Sequence, residues 1–549
     1  MGRLPFTESQ VVSQRNQLVV LLCAAWLLPG LIGHDPWKPD EAHTFGVVYQ
    51  LLQGGSWVVP TLAGEPFLDK PPLFHLVAAA CAWAFSIVLP LHDAARLATG
   101  LWMALTLYFI AAAARELNDE RSGPLAVLLL LGCFGLVVRS HQLIADVAML
   151  AGLAMAYYGC ALALRRPGAG GIWTGTGAGL GFLANGIVAP AIVFTLALLL
   201  PVAGRAWRSR DYAAALGIAA ATAAPWLVIW PVLLHQRSPA LFDAWLWGVH
   251  LSDYAGGPSG VVKSAAYYLR TLPWYAFPVW LLALWALWRT PRPKGWVEPR
   301  VILPLTGFFV TLAVLSASTD ARELYALPML LPLALLAVPA PDSLRRGASN
   351  AWYWFSVMTW TFFIVVFWVY WSGLELGVPA RLHRHLHTIR PGYEFGFRWI
   401  PFLIGAAYTV AWCAVLVKLK KSPERPVVAW AAGITVMWGL LAVLFVGWAD
   451  NVKSYRSVFV DMTKALPPQH ECISSRDLGD PQRASLHYFA GIITWREEIA
   501  ERRRECDLLL VQGKPLDENV IPPPWKKIWE GQRPGDKDER YRLYQRPRR

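Results

Sequence analysis

The stretch LFHLVAAACAWAFSIVLPL, residues 73–91, decides how this chain is threaded. It is apolar and about long enough to cross a bilayer. Thirteen other apolar runs compete with it, at 17–33, 96–114, 123–139, 147–164, 172–185, 188–203, 212–233, 273–289, 301–317, 324–340, 351–371, 398–417 and 427–448. If 73–91 spans as well, the basic loops fall on both sides of the membrane. If it does not, they share one side. That side then holds Arg3 and Arg15, Arg115 and Arg121, Arg165 and Arg166, Arg205, Arg208 and Arg210, Arg289, Arg292, Lys294 and Arg300, Arg345 and Arg346, and Lys418, Lys420, Lys421 and Arg425. Basic loops mark the cytoplasmic face. The reading is therefore a polytopic α-helical membrane protein with about 13 transmembrane helices, its N-terminus cytoplasmic and its C-terminus periplasmic. Segment 73–91 then lies as a helix in or near the outer interface.

Composition agrees with that class. Of the 549 residues, 55% are hydrophobic and 16% charged, and mean hydropathy is +0.37. A soluble domain carries about 25% charge. The charge is also displaced: 35 of the 87 charged side chains lie in 449–549. Residues 1–448 read as the membrane domain and 449–549 as a soluble α/β domain. Within the tail, apolar or alternating runs at 485–489 and 506–512 and a polar helix at 495–505 are expected. The 29 Trp suit membrane–water interfaces. The net charge of +13 is explained by basic cytoplasmic loops, and no nucleic-acid motif accompanies it. Of seven Cys, five lie in apolar stretches. Cys472 and Cys506 lie in the tail, and an oxidising compartment would pair them.

Long outer segments result at 34–95, 235–272 and 372–397, with a short one at 140–146. Long structured loops are usually functional. The first contains Asp35-Pro36-Trp37-Lys38-Pro39-Asp40-Glu41 and then Asp69-Lys70-Pro71-Pro72. The two prolines stop the following helix from starting before residue 73 and hold Lys70 at its entry. Asp146 opens the fourth span on the same side. Each residue has a structural alternative: Asp40 as a helix cap, Lys70 as a snorkelling cation, Asp146 as an N-cap. Together, two acids and a cation on one face suit sugar transfer from a lipid phosphate. A carboxylate orients or deprotonates the acceptor, and a cation or metal neutralises the departing phosphate.

These motifs resemble the bacterial aminoarabinose transferase group of the GT-C glycosyltransferases, with protein O-mannosyltransferases as cousins. Leu183-Ala184-Asn185-Gly186, Ala224-Pro225-Trp226, Ser316 through Arg322 and Tyr325-Ala326-Leu327-Pro328 extend the match in order over about residues 15–450. The resemblance implies Asp40 as the catalytic carboxylate with Glu41 beside it, and Asp146 as the second acid. It implies Lys70 and Arg322 as donor-phosphate contacts, with His250, Asp69 and Tyr325 lining the cavity. It also implies a polyprenyl-phosphate sugar donor and an envelope acceptor (lipid A-like lipid, glycan or protein) at the outer side of a bacterial inner membrane. The chain departs from the family pattern at Ala42-His43-Thr44, Asp69, Asn185 and Asp253.

No cofactor is certain; a divalent cation is the one candidate. In Arg381-Leu382-His383-Arg384-His385-Leu386-His387 the histidines could bind metal or anionic headgroups, or stand in a solvated loop. Gly175, Gly177, Gly179 and Gly181 within one span indicate close helix packing, since no strand precedes them and no Gly-Lys-Ser/Thr follows. The rival functions are a protein O-glycosyltransferase and a polytopic lipid or sugar transporter. A transporter would bury its charges mid-span, whereas these acids sit at span ends.

Overall fold

The computed structural model describes residues 8–252, 257–389, 396–499, 504–514 and 523–547. It is mostly helical. Among the described residues, six helices are long and apolar enough to cross a membrane: Leu91–Leu117, Arg210–Arg237, Pro299–Ala317, Arg346–Leu376, Trp399–Lys418 and Arg425–Leu444. A seventh crossing forms if the bent pair Gly260–Tyr275 and Val279–Arg289 is one span. This is a multi-pass membrane protein.

The apolar runs do not all become straight spans. The pair around 273–289 is bent by 98°, and Pro278 at the bend lacks the amide a continuous helix needs. Run 123–139 divides into Ser122–Leu131 and Phe134–Arg139. Trp430 Nε1 donates to the Gly132 carbonyl at 2.9 Å, satisfying the break. Run 324–340 begins as a 3₁₀ segment, Glu323–Met329, before the helix Leu330–Ala337. Run 73–91 forms only the helix Leu73–Phe85, and Pro90 precedes the next helix. Thirteen residues rise about 20 Å, well short of a hydrocarbon core of about 30 Å. Its exposed end carries Trp83 and, just beyond, Ile87.

The glycines of helix Pro167–Asn185 face two neighbours. A Cβ on Gly177 would press into the backbone of helix Asp146–Leu162, 2.8 Å from the Ala156 amide. One on Gly179 would sit 2.5 Å from Trp226 on helix Arg210–Arg237. Small residues let both backbones approach.

Two very short strands, β1 (Thr61–Leu62) and β2 (Glu65–Pro66), make a hairpin in the first outer segment. The tail builds a five-stranded mixed sheet from β3 (Ile473–Arg476), β4 (Trp495–Arg496), β5 (Leu508–Gly513), β6 (Lys526–Gly531) and β7 (Arg540–Gln545), in the order β4-β3-β5-β7-β6. Strand β5 is central and its Leu508–Val511 run is buried, as a strand covered on both faces requires. The tail differs from expectation in two places. Residues 485–489 belong to helix Asp480–Ala490. The expected polar helix at 495–505 instead opens as edge strand β4. There the Glu497 amide donates to Ser475 O at 3.0 Å and the Glu497 carboxylate pairs with Arg476 at 2.7 Å. Sheet pairing outweighs the helical charge pattern, and 500–503 lie outside the described residues. Cys472 and Cys506 are joined in a disulfide, Cα–Cα 5.0 Å.

The tail clamps the first outer segment. Helix Asp480–Ala490 packs on helix Asp40–Leu52, with the Ala484 Cβ only 2.5 Å from where a side chain on Gly46 would begin. Tyr488 meets Phe45 and Tyr49 edge-on. Arg483 and Arg496 both reach Glu65, at 2.7 and 3.3 Å, and Arg456 grips Asp35 through two nitrogens.

Candidate functional site

A cavity of about 350 Å³ opens where the first outer segment meets the ends of helices Asp146–Leu162, Pro167–Asn185 and Pro299–Ala317. Lys70, Arg322, Asp69, His250 and Tyr325 all line it. They come from segments far apart in sequence. Lys70 is delivered by the Pro71-Pro72 entry, since the helix starts at Leu73. Arg322 is the last extended residue before the 3₁₀ segment. Their charges converge on one ring: Lys70 Nζ lies 5.7 Å and the Arg322 guanidinium 5.9 Å from the centre of Tyr325. Arg322 is held by Asp320 at 3.0 Å. Two cations around an aromatic ring, partly open to solvent, form a receptor for a phosphate.

Behind Lys70 stands Asn185. Its side-chain oxygen accepts from Lys70 Nζ, and its nitrogen donates to Asp146 Oδ1 at 3.0 Å. Gly186 ends that helix at φ +73°, and a Cβ there would overlap the His250 ring. The glycine thus supplies both the turn and the room for the histidine. His250 is pushed down to about 4 by burial and then by the Lys70 charge, so its imidazole is neutral near pH 7. Its Nε2 is buried with no hydrogen-bond partner among the described residues. A buried polar atom on a cavity wall is expected to find a partner when ligand enters.

Asp40 is the first residue of helix Asp40–Leu52 and makes no capping bond; Pro39 holds the cap position. Its carboxylate pairs instead with Arg139 at 3.4 Å. Arg139 is further held by Glu323 at 2.6 Å and by Gln142 at 3.1 Å. His43, one turn on from Asp40, feels the charges of both Asp40 and Asp69 as well as Lys70, and burial keeps its pKa low against the pull of the acids. Asp40 is therefore an electrostatic neighbour of the cationic cavity.

The match to a known family model runs over residues 69–230, to "Dolichyl-phosphate-mannose-protein mannosyltransferase". Among curated relatives, an undecaprenyl phosphate-alpha-4-amino-4-deoxy-L-arabinose arabinosyl transferase of Pseudomonas aeruginosa (strain UCBPP-PA14) is 27% identical over 460 residues, covering 80% of this chain and 77% of the relative. Its namesake in Serratia proteamaculans (strain 568) is 25% identical, covering 79% and 75%. The crystal structure of ArnT from Cupriavidus metallidurans bound to undecaprenyl phosphate superposes with a TM-score of 0.69 at 15% identity, over 98% of both chains. The chain is similar to the aminoarabinose transferases over most of its length and shares their fold. The fold likeness therefore extends through the C-terminal sheet as well as the membrane helices.

Two acids expected at the chemistry, Glu41 and Asp146, do not line the cavity. Glu41 is fully buried and faces away from Asp40. It accepts from Arg96 Nε at 3.0 Å, the Leu143 amide at 2.9 Å and the Trp37 amide at 3.1 Å. Successive helical residues point about 100° apart, so adjacency in sequence separates the two carboxylates. Asp146 is buried and is joined to Lys70 through Asn185. Sequence reading missed Arg139, Asp320, Glu323 and Tyr268. Arg139 carried a legible signal: a lone cation at the end of the apolar run 123–139 is costly unless paired.

Among the described residues, no group of three or more His, Cys, Asp or Glu is gathered to hold a metal. In the basic segment, His383 Nδ1 lies 2.9 Å from the Gly373 carbonyl on helix Ala380–Ile389. The Asp253 side chain lies outside the described residues.

Proposed function

We propose that this glycosyltransferase moves a monosaccharide from a polyprenyl-phosphate donor to an envelope acceptor, a lipid A-like lipid or a glycan, at the outer face of the bacterial inner membrane. The observation that carries the reading is the convergence of Lys70 and Arg322 on Tyr325 in one cavity, with the Asp40 charge felt by Arg322. The donor named for the relatives, undecaprenyl phosphate-linked aminoarabinose, supports a lipid-phosphate donor here.

In this mechanism the donor phosphate lies between Lys70 and Arg322. The acceptor oxygen attacks the anomeric carbon with inversion, and Asp40 orients that nucleophile or takes its proton. The bond between the anomeric carbon and the phosphate oxygen breaks. The electron pair leaves with the polyprenyl phosphate, whose added charge Lys70 and Arg322 stabilise. Asn185, tied to Asp146, fixes the Lys70 ammonium, and neutral His250 offers Nε2 to the sugar or phosphate. About 13 spans, a cytoplasmic N-terminus and a periplasmic tail complete the reading. The Cys472–Cys506 bond supports an oxidising compartment for the tail.

The test is undecaprenyl phosphate binding to the full chain in nanodiscs. Lys70→Ala removes a charge-assisted contact of about 1.5–3 kcal/mol, so affinity should fall roughly 10- to 100-fold. Unchanged affinity would remove the phosphate from this cavity. Transfer of label to a peptide hydroxyl instead of a lipid or glycan would assign a protein acceptor.

A further inference from the structure

Arg139 is the last residue of the short helix Phe134–Arg139, and packing fixes its place. One turn earlier, Gly135 lies so close to the buried Tyr275 ring that a Cβ there would stand 2.3 Å from it. Just beyond Arg139, the Leu143 amide donates to buried Glu41 at 2.9 Å. The backbone is held on both sides, so the guanidinium projects from a rigid base.

That guanidinium joins two carboxylates from different elements. Nη1 donates to Asp40 Oδ2 at 3.4 Å and to Gln142 Oε1 at 3.1 Å, and Nη2 donates to Glu323 Oε1 at 2.6 Å. Asp40 opens helix Asp40–Leu52 in the first outer segment. Glu323 opens the 3₁₀ segment Glu323–Met329, which carries Tyr325 and directly follows Arg322. One planar fork therefore spans from the acid to the segment that builds the phosphate receptor, and the Asp40 charge reaches Arg322 itself. The two pairings are unequal. The short bond to Glu323 anchors the guanidinium, while the long one holds Asp40 lightly. A lone Arg–Asp pair would resist proton uptake by the acid, because a part-buried guanidinium would lose its partner. Glu323 removes that cost, since it stays on Arg139 whether Asp40 is charged or protonated.

We propose that Arg139 is a positioning residue of the transfer reaction: it fixes Asp40 relative to the Arg322–Tyr325 segment, and Glu323 keeps it paired while Asp40 takes the acceptor proton. The proposal rests on the transferase reading and adds a residue that acts through Asp40. In the step itself, the acceptor oxygen gives its proton to Asp40 as it bonds to the anomeric carbon. The electron pair of the broken carbon–oxygen bond leaves with the polyprenyl phosphate. Arg139 exchanges no proton and only sets the geometry.

A double-mutant cycle tests this on the full chain in nanodiscs, with tritiated undecaprenyl phosphate-linked aminoarabinose as donor probe and an outer-membrane lipid extract as acceptor. Arg139→Gln should lower kcat about 10- to 100-fold, the cost of a misplaced catalytic group, with both KM values and undecaprenyl phosphate affinity within about twofold of wild type. Arg139→Lys, which keeps the charge and loses the fork, should recover part of that rate. In an Asp40→Asn background, Arg139→Gln should cost less than about threefold, because the group it positions is already disabled. A merely structural role would lower the rate by the same factor in both backgrounds. That equal factor, an unchanged kcat, or a matching loss of undecaprenyl phosphate binding overturns the proposal. Near-normal transfer by Asp40→Asn refutes the mechanism on which the proposal rests, and the proposal with it. A damaged Asp40→Asn beside an undamaged Arg139→Gln refutes the Arg139 role alone.

Discussion

Gly186 shows how one residue sets the site. Its φ of +73° suits no side chain, and any Cβ would meet His250. Gly186→Ala should cost about 1–3 kcal/mol through backbone strain alone. It should also push His250 from the cavity wall. A lower Tm with weakened undecaprenyl phosphate binding is expected; an unchanged Tm and affinity would contradict this geometry. What could be read at this scale was residue type and order. Lys70, Arg322, Tyr325, His250 and Asp69 are brought to one cavity, and short motifs in a fixed order pointed to them. Direction was not readable. Glu41 is next to Asp40 in sequence but turns inward to Arg96, and Asp146 is screened by Asn185. Arg139 was passed over because it sits in an apolar run, where its partners Asp40 and Glu323 come from distant segments.

The elements around Asp40 are held by a buried charge junction. Asp35 accepts from Arg456 and Ser454, and these partners outweigh burial and keep its pKa low. Asp450 has the opposite fate. Burial, followed by the nearby Asp35 charge, raises it from 3.8 to about 6. A carboxyl whose folded pKa exceeds its unfolded value adds stability that is complete below the unfolded pKa and is lost as pH rises through the folded one. The wild-type junction should therefore weaken between about pH 4 and 6. Both bonds to Asp450, from the Asp35 amide and Trp37 Nε1, end on one oxygen at 2.9 Å, and Asn can accept both. Asp450→Asn should raise Tm at pH 7 and remove this part of the pH dependence, as followed by thermal unfolding across pH 4–7. A parallel pH profile for the two proteins would contradict the assignment. Composition marked the tail as a charged unit. The edge strand at Trp495–Arg496 was hidden, because its pairing with β3 is a long-range choice that a local run of charges cannot report.

At the scale of the whole molecule, a membrane helix assembly and a five-stranded sheet enclose the first outer segment between them. The tail is tied internally by Cys472–Cys506, which closes a loop of 34 residues. Such a loop contributes about 3–4 kcal/mol in the chain-entropy model. Reduction should speed proteolysis of 504–547 in the full chain at fixed temperature, and an unchanged cleavage rate would contradict a stabilising role. That the chain carries several long apolar helices was legible from hydropathy. Their breaks were not, because Gly132 is stabilised by Trp430 from the far end of the chain.

The central claim is that Asp40 performs transfer beside a cationic cavity that holds the donor phosphate. Asp40→Asn keeps shape and removes the charge. Its rate of label transfer from the lipid-phosphate donor, measured with undecaprenyl phosphate binding on the same sample, tests that claim most directly. The account predicts a rate lower by about 10²–10⁴ with donor binding intact. Near-normal transfer by folded Asp40→Asn protein would contradict it.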